Sequence, residues 1–320
     1  MEFGSKSKRR RKSRLLRHIL FFGIVIGLVC WGAWALKPEN FRPQKRWLRN
    51  AVTPLTSDIH ITYHADGLYA LNLTKNATVA SKRENEPLLP ASLAKLFVVQ
   101  YATTVVENDA MVTASADALA LLKPESSVAG IAAGKEYAVA DLYAGMLVAS
   151  GNDAAYVLAD AVAQQTHPEI PDTDSRIAMF MDDVNDYARK MGWRKTKLYD
   201  PSGYDFSAVT SAADVADVCQ LLLENEWFRD MVASPTYVIT RPDSETQTFV
   251  NTNKFLLPDS TEYEPAVHGV KTGSLDGSYN LVALFTDEDE EYLIVSLGSD
   301  SDEARYDDVR YVMRSIDGEE

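Results

Sequence analysis

The stretch LLPASLAKLFVV, Leu88–Val99, carries a serine and a lysine three residues apart, Ser92 and Lys95, near the start of an apolar run. The run predicts a buried helix. Side chains at i and i+3 share a helix face, so a hydroxyl and an amine meet there. Two readings fit these residues alone. One is an ordinary helix cap beside a lysine whose stem lies on apolar surface. The other is an activated nucleophile, because a serine hydroxyl attacks only once a base takes its proton. A neutral lysine is such a base.

Two further signals lie downstream. Ser150-Gly151-Asn152 sits in VASGNDAA between two apolar periodic segments, and Lys271-Thr272-Gly273 sits in HGVKTGS on a strand pattern near the end. Each is weak alone. S-x-x-K and S-x-N are each expected roughly once in a chain of this size. Ser5/Lys8 and Ser278/Asn280 indeed match them too. Order and setting make the three informative together: a serine opening a helix, a turn between helices, a late strand.

Leu89 to about Asn225 reads as mostly helical, in the pieces ASLAKLFVVQYATTVVEN, VADLYAGMLVASGNDAAYVLADAVAQQ, RIAMFMDDVNDYARKMG and SAADVADVCQLLLEN. Strands are expected early, in IHITYHADGLYALNLT around a hairpin turn at Asp66-Gly67. They return late, in AVHGVKTGS, YNLVALFT and EYLIVSLGS, the last two joined by the acidic turn DEDEE. A closing helix, DEARYDDVRYVMRSI, starts at a cap on Ser301 or Asp302. Strands at both ends of a helical middle predict an α+β fold: an antiparallel sheet whose first and last strands meet, flanked by helices, with a mainly helical subdomain.

Charge divides the 320 residues sharply. Residues 1–50 hold 13 Lys/Arg against 2 Asp/Glu, and the remainder 19 against 44. A body that acidic excludes nucleic-acid binding through a general electrostatic surface. The first 18 residues form a basic tail, and Ile19–Leu36 is an 18-residue uncharged apolar run with Trp31 and Trp34 toward its end. That length approaches a membrane span, and the basic flank predicts a cytoplasmic N-terminus. A cleaved signal peptide is the rival, given Ala33 and Ala35. The retained single-pass anchor is preferred, with 37–57 as a juxtamembrane spacer and 58–320 as an extracytoplasmic catalytic domain. Cys30 and Cys219 are not expected to pair. His60 and His64, in HITYH, lie on a strand pattern without further ligand candidates. No metal and no cofactor is expected.

With PASLAKL, YAGMLVASGNDAAYVLAD, VKTGSLDGSYNLVALF and LGSDSDEARYDDV in this order, the chain resembles the serine D-Ala-D-Ala carboxypeptidases, the low-molecular-mass penicillin-binding proteins, from about Ile59 to Ile316. Their S-x-x-K, S-x-N and K-T-G signatures match here. The resemblance implies Ser92 as nucleophile, Lys95 as its base and Ser150 as a proton relay. It implies Asn152 on the substrate's peptide bond, and Lys271, Thr272 and Gly273 at its terminal carboxylate, with Arg305 sharing that task. The amides of Ser92 and Ser274 would form an oxyanion hole. Peptidoglycan stem peptides are the implied substrates and β-lactams the implied inhibitors. Many members carry a β-rich domain and a C-terminal amphipathic anchor after the catalytic domain; here the anchor is expected at the N-terminus. Two rivals remain. A class A-like β-lactamase needs a carboxylate to activate a deacylating water, for which Glu169 in THPEIPDTD offers itself. An inactive wall-binding scaffold needs none of the three motifs.

Overall fold

The computed structural model describes residues 63–317. The basic tail, the apolar run at 19–36 and the spacer at 37–57 lie outside the described residues. Among the described residues no helix is long and apolar enough to cross a membrane.

Strands β1 (Gly67–Asn72) and β2 (Ala77–Lys82) form a hairpin. A single 3-10 turn, Ala91–Leu93, runs into α1 (Ala94–Ala102). The short strands β3 (Met111–Thr113) and β4 (Glu136–Ala138) pair around α2 (Ala116–Ala120). Helices α3 (Val139–Leu147), α4 (Asn152–Thr166), α5 (Thr173–Met191), α6 (Ala212–Leu222) and α7 (Glu226–Ala233) follow. A hairpin of β5 (Thr236–Thr240) and β6 (Thr246–Val250) precedes β7 (Val267–Leu275), β8 (Ser278–Asp287) and β9 (Glu290–Ser299). Helix α8 (Asp302–Asp317) closes the chain, its start capped by Ser301 Oγ, which accepts from the Ala304 amide at 3.1 Å.

The main sheet has the order β2-β1-β9-β8-β7, antiparallel throughout. The early and late strands meet at β1 and β9, as the sequence pattern predicts. Both faces of the centre are covered. Val282, Leu284, Leu293 and Val295 pack with the helices on one side. Leu281, Ala283, Phe285 and Ile294 pack on the other with Tyr306, Val309, Val312 and Met313 of α8. Period-2 alternation thus feeds two apolar layers rather than one layer and solvent. This is why β8 and β9 read as nearly continuous apolar runs.

Two expectations are corrected. Asp66-Gly67 is not a hairpin turn: Gly67 opens β1, and the chain reverses at Leu73–Asn76, where Asn76 takes φ +52°. A Cβ at Gly67 would lie 2.7 Å from Leu88 Cδ1, so a larger residue there would only have to push that side-chain end aside. Helix α1 stops at Ala102, short of Asn108. The Thr103 and Thr104 hydroxyls bond back to the Gln100 and Tyr101 carbonyls at 2.8 and 2.6 Å. Such local bonds compete with helix propagation, and the β-branched Thr103–Val106 run lacks helix propensity.

Candidate active site

Ser92 lies half-buried in the 3-10 turn ahead of α1. Asn280 of β8 staples that turn to the sheet: its Nδ2 donates to the Leu89 and Pro90 carbonyls, both at 2.9 Å, while its Oδ1 accepts from the Gly298 amide. Strand β7, an edge of the sheet, passes close to the same turn. A Cβ on Gly273 would sit 3.0 Å from Pro90 O and 3.3 Å from the Ser92 amide nitrogen. Glycine in the K-T-G triplet is therefore what allows the strand backbone near the serine.

Lys95 is wholly buried, one helical turn on from Ser92. Its Nζ lies 3.0 Å from Ser92 Oγ, 2.8 Å from Asn152 Oδ1 and 2.9 Å from the Ser202 carbonyl. Burial brings its pKa down to about 7, against the opposing pull of the Asp200 and Asp153 carboxylates. At neutral pH a substantial share of Lys95 is uncharged.

Ser150 occupies the break between α3 and α4 with φ +58°, a left-handed conformation that costs a non-glycine residue ~1–2 kcal/mol. The chain around it is pinned by the Gly151 amide on the Gly145 carbonyl and the Asn152 amide on the Ser127 carbonyl, at 2.8 and 2.7 Å. The reward is position: Ser150 Oγ accepts from Lys271 Nζ at 2.8 Å. Lys271 is 1% exposed and also donates to its neighbour's carbonyl, Thr272 O. Burial first, then the cations Lys95 and Arg305, push its pKa well below the ordinary lysine value. Repulsion between Lys95 and Lys271 is mutual, so charge on either disfavours charge on the other. The Thr272 hydroxyl pairs with that of Thr252 at 2.7 Å.

These groups underlie a cleft of about 280 Å³ whose lining includes Ser92, Asn152, Ser202, Tyr204, Ser274 and Tyr279. Ser92, Lys95, Ser150, Asn152, Lys271, Thr272, Gly273 and Ser274 thus come together from three separate segments. Arg305 takes a different place. It is 5% exposed, outside the cleft lining, and its Nη1 donates to Gly273 O, Ser274 Oγ and Asn280 O at 3.2, 3.0 and 3.2 Å. Its other terminal nitrogen pairs with Asp302. It braces the end of β7 from beneath. Glu169 is 70% exposed beside His167 and is not among the lining residues.

The segment YDPSGYD, Tyr199–Asp205, went unread in the sequence although its Pro, Gly and Asp signal a turn. It supplies Ser202, and it fits because Gly203 adopts φ +80°; a Cβ there would lie 1.9 Å from Ala91 O. Asp153 was also missed. Its buried carboxylate accepts from the Ala129, Gly130 and Ile131 amides at 2.7–2.8 Å and so holds the loop that carries Ser127 over the cleft.

A sheet edge laid against a helix-start serine with a buried lysine partner defines the class of serine–lysine penicillin-recognising folds. The D-alanyl-D-alanine carboxypeptidase family profile matches residues 55–301, and the chain belongs to that family. Among its relatives, the D-alanyl-D-alanine carboxypeptidase DacC of Escherichia coli is 29% identical over 251 residues, 74% of this chain and 57% of the relative. DacD of the same organism is 28% identical, with 78% of this chain and 62% of the relative covered. The chain therefore spans about three-fifths of the length of these two relatives. The carboxypeptidase of Streptomyces sp. strain K15 is 28% identical, covering 82% and 90%. The crystal structure of the Streptomyces K15 DD-transpeptidase superposes with a TM-score of 0.70 at 25% identity, over 79% of this chain and 97% of that one.

Proposed function

We propose that this protein is a serine D-Ala-D-Ala carboxypeptidase that trims the terminal D-alanine from peptidoglycan stem peptides through an acyl-enzyme on Ser92. One observation carries the reading: Lys95 has three polar neighbours, and two of them, Asn152 Oδ1 and the Ser202 carbonyl, can only accept. A neutral amine has two N–H groups and one lone pair. The two acceptors take the N–H groups, which leaves the lone pair for the hydroxyl proton of Ser92, 3.0 Å away.

Ser92 Oγ attacks the carbonyl carbon of the penultimate residue as its proton passes to Lys95. Negative charge developing on the carbonyl oxygen meets the amides of Ser92 and Ser274; the close approach of β7 to the Ser92 amide supports that pairing. Ser150 delivers a proton to the departing amine of D-alanine, and Lys271 stands behind it to replenish that proton. Asn152 holds the peptide bond, and Lys271 with Thr272 holds the terminal carboxylate, whose negative charge favours the ammonium form of Lys271. Water then cleaves the Ser92 ester. A β-lactam acylates the same oxygen but keeps its leaving group tethered, so its ester persists. The side chains supply this chemistry without a cofactor. The basic tail and the apolar run at 19–36 support a single-pass anchor, with the cytoplasm on the N-terminal side and the catalytic domain outside.

The test is to incubate the full-length protein with pentapeptide and with cross-linked muropeptides and identify the products by mass. Release of D-alanine from the pentapeptide is expected. Unchanged pentapeptide contradicts the reading. Glu125 and Asp276 are the carboxylates lining the cleft, so penicillin turnover is the companion measurement: a long-lived adduct fits the carboxypeptidase, and rapid repeated hydrolysis makes the protein a β-lactamase.

A further inference from the structure

We propose that Asp200 is a positioning residue for Lys95: its carboxylate folds the Ser202–Gly203 turn so that the Ser202 carbonyl holds the lysine head on Ser92, and it sets a negative charge beside that head. The inference rests on the reading of Ser92 and Lys95 as nucleophile and base.

Asp200 is 8% exposed, and all its hydrogen bonds go to its own loop. Oδ1 accepts from the Ser202 amide at 2.8 Å, the Ser202 hydroxyl at 2.5 Å and the Gly203 amide at 2.9 Å; Oδ2 accepts from the Asp205 amide at 2.7 Å. Four donors on one buried carboxylate leave the loop little freedom. With its inward N–H groups consumed, the turn points the Ser202 carbonyl at Lys95 Nζ, 2.9 Å away. The adjoining Gly203 presses on Ala91, the residue before Ser92, at a distance no side chain tolerates. One loop therefore fixes the base and braces the turn that carries the nucleophile. Serine and glycine at 202 and 203 provide the hydroxyl and the left-handed φ this geometry needs.

The charges around Lys95 come from three elements. Asp200 on this loop and Asp153 on α4 favour its ammonium form, while Lys271 on β7, whose own charge Lys95 disfavours, repels it in turn. Removing the Asp200 charge therefore lowers the pH at which Lys95 becomes neutral.

The experiment is the rate of penicillin acylation against pH for the full-length wild type, Asp200→Asn and Asp200→Glu, with thermal melts to confirm folding. Asp200→Asn keeps the size and the Oδ1 acceptor but presents an amide to the Asp205 N–H. Its rising limb should move to lower pH by about one unit, with a plateau down roughly 10-fold from the loosened loop. Asp200→Glu keeps the charge but not the reach, so its limb should stay while its plateau falls. A lower plateau with an unmoved limb in Asp200→Asn marks a merely structural role and overturns the proposal, as does a profile that superimposes on the wild type. A wild-type protein that forms no adduct overturns the Ser92–Lys95 reading itself, a result distinct from either.

Discussion

The cleft contains two serine–lysine pairs, and they are not equivalent. On the helical wall Lys95 reaches Ser92 at 3.0 Å; across from it, Lys271 on the strand wall reaches Ser150 at 2.8 Å. Distance alone favours the second pair. Surroundings reverse the order. Burial pulls the Lys95 pKa down and the nearby carboxylates offset part of that, so it stands at about 7, and two fixed acceptors for its N–H groups aim its lone pair. Lys271 has cations nearby and its own backbone as second partner. Burial and these cations disfavour its ammonium form. Ser92 opens onto the cleft, whereas Ser150 is 6% exposed and lies behind the lining. Burial discharges both lysines, so the comparison teaches that neutrality alone does not choose the nucleophile: the hydroxyl that lines the cleft, beside the lysine whose N–H groups already have acceptors, takes that part.

The largest effect should come from Ser92→Ala. Penicillin acylation should fall by roughly 10⁴-fold or more, with the melting temperature nearly unchanged, as read by intact mass and thermal melts. Next is Lys95→Arg, where a guanidinium stays protonated at any workable pH and acylation should drop by about 10³-fold. In the wild type, acylation should rise with pH through about 7: below it Lys95 already carries the proton, above it the lone pair is free. Lys95→Arg should abolish that rise. Ser150→Ala should cost about 10²-fold in turnover of a D-Ala-D-Ala peptide, because the relay to the leaving amine is lost while the Ser92–Lys95 pair stays intact. An acylation loss equal to that of Ser92→Ala would break the comparison between the pairs. The smallest effect belongs to Lys271→Arg, about 10-fold and mainly in KM for a carboxylate-bearing peptide, since a cation remains but its shape differs. Steady-state kinetics with the free-carboxylate peptide and its amide separates that loss from a general one.

Much of this was legible in the residues. The three motifs stand at a helix start, a helix break and a strand edge, and the structure gathers them around one cleft. They were readable through their order, spacing and setting together; the 3-10 turn at Ser92, the left-handed φ at Ser150 and the side-chain-free approach at Gly273 are what only the structure adds. The Asp66-Gly67 turn was misread because a glycine that opens a strand looks the same in sequence as one that makes a turn. Asp200, Asp153 and Asn280 were invisible for another reason. Each acts through hydrogen bonds to backbone groups of loops, and no spacing rule records where a loop will lie. Arg305 was expected, through the resemblance alone, at the substrate's carboxylate; its bracing of β7 was not legible, since its partners Gly273 and Asn280 come from two different strands.

The central claim is that Ser92, and not Ser150, is the oxygen that Lys95 activates. The most direct test is to label the full-length protein with a penicillin, digest it and map the adduct by mass spectrometry. The account predicts the label on the peptide containing Ser92, its yield unchanged in Ser150→Ala at long reaction times and absent in Lys95→Arg at matched times. A label on Ser150, or one that forms on Ser92 at the wild-type rate in Lys95→Arg, would contradict it.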